Sequence, residues 1–217
     1  MPPTNDRSTS ALRRRLCCTV ASDAATVAIG LPSAFGWGEE SDFDEATSDA
    51  VVGFTGADGA YGAYEVLDAS GAVVGTEVVI SSPGAEAALE AYLADRFGGW
   101  EPDDAFFDRY LAKTATPEEL RTYNEYSAVR SGSYGEFLDR TVESSDPAEE
   151  GRAEPATGTI EVPDGRLYVC DPYCLGSGRT VTVSPGSYRP VRWMSADDVH
   201  HPLRIGLYRT DLAYPAP

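Results

Sequence analysis

Apolar residues follow two different periods along this chain. In "AVVGFTGADGAYGAYEVLDASGAVVGTEVVI", residues 50–80, short β-branched runs alternate with turn residues, which predicts strands near 50–54, 62–68 and 72–80. "DASG" at 68–71 joins the last two as a tight hairpin. The period then lengthens. "SSPGAEAALEAYLADRFGG" has Pro83 at an early helical position and a Gly pair as stop, with Ala88, Leu89, Tyr92 and Leu93 on one face. "EPDDAFFDRYLAKT" predicts a second helix with Phe106, Tyr110 and Leu111 on one side. In "TPEEL", Thr116, Pro117 and Glu119 form an N-cap, a first-turn proline and the reciprocal Glu of a capping box. That helix is expected to reach about Arg130, and "YGEFLDRTVES" is expected as a shorter fourth one.

Residues 144–158, "SSDPAEEGRAEPATG", have little to bury and are expected to be a linker. Strands resume at 158–162, 166–170, 179–184, 187–194 and 203–209, with "PDG" at 163–165 and "PG" at 185–186 as turns. In "RLYVC" and "RTVTVS", alternation puts Leu167, Val169, Val181 and Val183 inward. Arg166, Tyr168, Cys170, Thr180 and Thr182 take the more polar face.

The expected fold class is α+β: β-rich, with antiparallel hairpins in two regions and a helical segment between them. The two β regions can stand as separate units or close into a β-sandwich. The corresponding division is a flexible head and acidic loop over 1–49, hairpins and three or four helices over 50–143, a linker over 144–157, and an antiparallel β domain over 158–217.

Charge narrows the function classes. The net charge is -18. Residues 158–217 hold six acidic groups and six arginines, so 29 acidic and 11 basic groups of the chain's 35 and 17 lie before them. Such a surface repels phosphate backbones and anionic membranes, and it can attract a basic protein partner. It also serves solubility or life at high salt. No run reaches the roughly 18 apolar residues of a membrane helix. The apolar run after Arg13, Arg14 and Arg15 is broken by Ser22 and Asp23, so the head is expected to be flexible and to lead into a short helix or strand, not an export signal. Four cysteines do not make a disulfide framework, and the expected location is cytoplasmic with free thiols.

Candidate chemistry is sparse. Cys170 and Cys174 have metal-compatible spacing, but the available histidines are the adjacent His200 and His201, which a strand would point apart. No metal and no cofactor are expected. Cys17 and Cys18 are expected to point apart as well. Cys170, Asp171 and His200 are the right types for nucleophilic catalysis, without a recognisable elbow, metal motif, phosphate loop or dinucleotide fingerprint. "GFTGADGAYG" reads as a turn, and Asp103 and Asp104 as an acidic first helical turn. Tyr188, Arg189, Arg192 and Trp193 in "YRPVRWM" are a candidate binding patch, although core packing of the aromatics explains them as well.

The sequence from Gly165, Leu167, Val169, Asp171 and Pro172 through Val181, Val183, Pro185, Gly186, Tyr188 and Val191 resembles the DUF4241 family of bacterial proteins. "LRIGLYR" at 203–209 looks like the succeeding strand. The resemblance implies a β-rich fold and carries no activity with it. The expected function is a non-enzymatic binding or regulatory protein, of the immunity or antagonist type, engaging a basic protein partner. The alternatives are a hydrolase or other enzyme with its site near Cys170, Asp171, His200 and His201, and a structural or assembly component.

Overall fold

The computed structural model describes residues 12–35, 49–144, 147–156, 158–196 and 200–212. The expected disorder of residues 1–10 and most of the acidic loop at 36–49 lie outside them.

The strands, in chain order, are β1 Arg13–Ser22, β2 Thr26–Gly30, β3 Ala50–Phe54, β4 Gly59–Leu67, β5 Val73–Val79, β6 Arg152–Pro155, β7 Ile160–Val162, β8 Arg166–Asp171, β9 Cys174–Thr182, β10 Gly186–Met194 and β11 Pro202–Arg209. They form two antiparallel sheets. The larger runs β1-β4-β5-β11-β10-β6, with β7 also on β10, and the smaller runs β3-β2-β8-β9. Between β5 and β6 come four helices: α1 Pro83–Arg96, α2 Asp104–Leu111, α3 Pro117–Ser144 and α4 Pro147–Glu150. The fold is α+β and β-rich, as the two periods predict.

The chain divides into two compact units, one of residues 1–81 with 143–217 and one of residues 82–142. The boundary differs from the one expected at 144–157. β2 pairs with β8 and β5 with β11, so strands from both β regions share both sheets. Within the expected linker, Pro147–Glu150 is helical and Arg152–Pro155 pairs with β10. Local composition hid this, because a short edge strand has little to bury.

The first unit is a β-sandwich. Leu167, Val169, Val181 and Val183 face inward as the alternation predicts, packed with Val27, Ile29 and Val51 of their own sheet. From the other sheet come Val20, Ala63, Val78, Tyr188, Ile205 and Leu207. The opposite face of the smaller sheet is drier than expected. Tyr168 and Cys170 are buried there with Ala28, Val52 and Phe35. The chain after β2 turns back through Pro32–Ala34, and the Phe35 ring lies 5.9 Å from that of Tyr168. Gly178 lets β9 pass the same tyrosine, because a Cβ there would lie 2.3 Å from the ring.

From Arg13 on, where a short helix or strand is expected to follow the head, the chain forms two strands, β1 in the larger sheet and β2 in the smaller. The signal of β1 was masked by arginines, one of which is buried. Arg14 reaches Glu77 on the outer face of the larger sheet, and neither side chain is more than 5% exposed. Tyr208 donates to Glu77 at 2.6 Å, and Trp193 Nε1 donates to the Tyr208 hydroxyl at 2.9 Å. Arg204 completes the cluster, 3.5 Å from Glu77 and ion-paired with Glu150.

Candidate binding surface

The helical unit is built from strong local signals. Ser82 caps α1, its Oγ accepting from the Ala85 N–H at 3.3 Å, and Gly98 and Gly99 end the helix at φ +62° and +78°. Asp103 caps α2, accepting from the Phe106 N–H at 2.7 Å. The capping box of α3 forms in both directions. Thr116 Oγ1 accepts from the Glu119 N–H at 3.2 Å, and Glu119 Oε2 accepts from the Thr116 N–H at 2.8 Å. Backbone and hydroxyl donors at Thr116, with Arg109, hold the Glu119 carboxyl below the usual range.

α3 runs unbroken through the Ser131-Gly132-Ser133 stretch where two helices were expected. Glycine weakens a helix but does not end it without a proline or a cap, and Tyr134 and Phe137 on the far side still pack onto Leu89, Leu93 and Tyr126. The resulting helix spans 28 residues.

α2 is eight residues long and covers only part of its apolar stripe. Phe106 is buried against Trp100 and Tyr123, at ring separations of 5.9 and 5.0 Å. Tyr110 and Leu111, expected on the same side, are 44% and 77% exposed. The helix stops at Leu111 because the chain reverses. Lys113 takes φ +58°, and the Thr114 N–H donates to the Arg109 carbonyl at 2.9 Å. A left-handed lysine costs on the order of 1 kcal/mol, and here it turns the chain tightly into α3.

Two grooves flank α2. One, of about 430 Å³, is lined by Tyr110, Leu111, Lys113, Ala115 and Leu120. The other, of about 400 Å³, is lined by residues that include Phe107, Tyr123, Tyr126, Glu90, Glu101 and Arg130. Tyr123 connects them, its ring tilted 5.6 Å from that of Tyr110 and edge-on 6.0 Å from that of Phe107. Residues 101–120 around this surface carry six carboxylates against two cations. An exposed aliphatic anchor beside aromatic rings, in an acidic segment, can take an apolar side chain carried on a basic segment.

The residues singled out from sequence sit elsewhere. Alternation along β10 divides the patch of Tyr188, Arg189, Arg192 and Trp193. Tyr188 is buried between the sheets and donates to the Ser184 carbonyl at 2.5 Å. Trp193 is buried on the opposite face, and Arg189 is part-exposed. Arg192 is exposed, and its Nε donates to the Val52 carbonyl at 2.8 Å, bridging the two sheets. Asp171 is fully buried. Its Oδ2 accepts from the backbone N–H groups of Asp23 and Ala24 at 2.8 and 2.9 Å, and its Oδ1 from that of Tyr173 at 2.8 Å. It therefore clamps the β1–β2 turn, where Ala25 has φ +50°, to the end of β8.

Cys170, one residue away, points into the apolar cluster around Phe35, where burial and the Asp171 charge push its thiol up to about 12. Cys174 Sγ lies 3.7 Å from an Asp23 carboxylate oxygen. His201 stands beside Gly56, beyond the end of β3, and β2 separates that strand from β8.

Among the described residues, no group of three or more His, Cys, Asp and Glu could hold a metal ion. No helix among them is long and apolar enough to cross a membrane. No protein-family model, curated protein or solved structure matches the chain.

Proposed function

We propose that this is a non-enzymatic binding or regulatory protein, of the immunity or antagonist type, whose helical unit engages a basic segment of a protein partner. The observation that carries this reading is the exposure of Leu111, at 77%, beside Tyr110 and a groove lined by Leu111, Ala115 and Leu120, in a segment, 101–120, with six carboxylates against two cations. These carboxylates steer a cationic segment, and the groove holds its apolar side chain. In the sandwich, the buried carboxylates Asp171 and Glu77 are committed to internal hydrogen bonds.

The test is an isotope-labelled titration with a helical Leu/Lys amphipathic peptide, alongside a Gly/Lys peptide of equal charge. The expected result is saturable shifts confined to α2 and the start of α3 for the amphipathic peptide, lost in Leu111→Ser. Equal responses to both peptides, or shifts spread over every acidic surface, would remove the reading.

A further inference from the structure

β1 is an edge strand of the larger sheet, and its register against β4 slips at Cys17: Leu16 pairs with Tyr64, and Cys18 with Ala63. Before the slip, Arg14 meets Glu77 on the outer face, and Arg15 meets Glu65 on the inner face. After it, Cys18 and Val20 face the inter-sheet core. Alternation puts Cys17 on the side of Arg15, and the bulge puts Cys18 there too. Two adjacent thiols thus share one face, where an unbroken strand would point them apart. Cys17 is exposed and Cys18 half-buried. Each thiol acts on the other electrostatically, Cys18 lowering Cys17 and Cys17 raising Cys18. Arg179, on the edge strand β9 of the other sheet, acts electrostatically on Cys18.

We propose that Cys17 and Cys18 form a bidentate dithiol site for a thiophilic centre of the trivalent arsenic class. Burial, then the Glu65 charge, raises Cys17. Burial, then Cys17, pushes Cys18 up to about 11. At neutral pH both are therefore S–H groups, slow towards disulfides, which require a thiolate attacker. Chelation of an arsenoxide uses S–H directly. Two As–S bonds form, the As=O bond and two S–H bonds break, and the oxygen leaves as water with both thiol protons. Neither arsenic nor sulfur changes oxidation state, so no oxidant is needed. Cys170 and Cys174 do not offer a second such pair, because Cys170 is sealed in the cluster around Phe35 while Cys174 lies beside Asp23.

The test uses phenylarsine oxide on the full chain, read by non-denaturing intact mass spectrometry. The expected adduct is one reagent less one water per chain, stable to excess glutathione and released by a dithiol. Because one sulfur makes the second attachment intramolecular, Cys17→Ser should weaken binding by at least about tenfold. Cys17 is exposed, so this variant keeps its fold, which circular dichroism checks; Cys18→Ser should match it. A Cys174→Ser variant should bind as the wild type does. An adduct that survives Cys17→Ser, that glutathione removes, that needs Cys174, or that never forms would overturn the proposal.

Discussion

Arg14 holds Glu77 through Nε, at 3.0 and 3.1 Å from the two carboxylate oxygens, and through Nη2 at 3.0 Å, joining the edge strand β1 to the central strand β5 on a buried face. Burial alone would push the Glu77 carboxyl up. The charge and hydrogen bonds of Arg14, with Arg204 and Tyr208, outweigh it and hold the carboxyl below the usual range.

Glu77→Gln should therefore leave two buried guanidinium groups under-compensated and cost about 3–5 kcal/mol at pH 7, measured by urea unfolding. The sign with pH follows from the depressed folded-state value. The stabilisation is complete above the unfolded pKa of about 4.3 and is lost as pH falls towards the folded one. The stability gap between wild type and variant should accordingly narrow below about pH 4.3. A gap independent of pH would contradict the assignment.

Asp171 tests the structural against the catalytic use of its carboxylate. Asp171→Ala should leave three backbone donors without their acceptor and cost roughly 2–4 kcal/mol. Asp171→Asn keeps one acceptor oxygen and should fall between. Hydrogen exchange at the Asp23, Ala24 and Tyr173 amides should accelerate in that order of severity. Unchanged exchange at all three would mean the clamp does not hold the turn.

Gly132 and Gly135 lie inside α3, and nothing stands within 4 Å of where a Cβ would sit. Alanine at either position should stabilise the helix by about 0.5–1 kcal/mol. Amide protection along α3 should rise while the sandwich amides stay as they were. A loss of protection would indicate that the helix breaks at Ser131–Ser133.

The carboxylates of residues 101–120 should act on encounter more than on residence. Asp104→Asn, Asp108→Asn and Glu118→Gln together should slow association of the amphipathic peptide and flatten its salt dependence, since exposed charges are screened beyond about 8 Å at physiological ionic strength. Leu111→Ser should instead speed dissociation. The reverse assignment in stopped-flow measurements would contradict the division between carboxylates and groove.

Much of the fold is written in local pattern. β3, β4 and β5, the Asp68 hairpin, the Thr116–Glu119 box and the inward-facing quartet around Leu167 all follow from residues near one another in sequence. β1 does not, because Arg14 can be buried only by Glu77, 63 positions away, and because a bulge breaks the alternation at Cys17. The merging of the two β regions depends on β2 meeting β8 across the whole helical unit, which no window along the chain contains. The division of Tyr188 from Trp193 was available from the same alternation that placed Leu167, whereas an aromatic–arginine cluster suggested a patch. The exposed surface on α2 was hidden by its own period, since Phe106, Tyr110 and Leu111 look alike in sequence and only the first is covered.

The position of β11 governs when this protein can assemble on the ribosome. β11 fills the slot between β5 and β10, pairing Val79 with Arg204. Until it emerges, β5 has an open edge and the β1-β4-β5 part of the larger sheet has no link to β10. At elongation rates of about 5–20 residues per second the wait between these two strands is on the order of 6–25 s. The core around Leu89 and Tyr126 lies between them in sequence and can form during that interval. The nascent sheet meanwhile presents an unpaired edge, which is a template for strand-to-strand association.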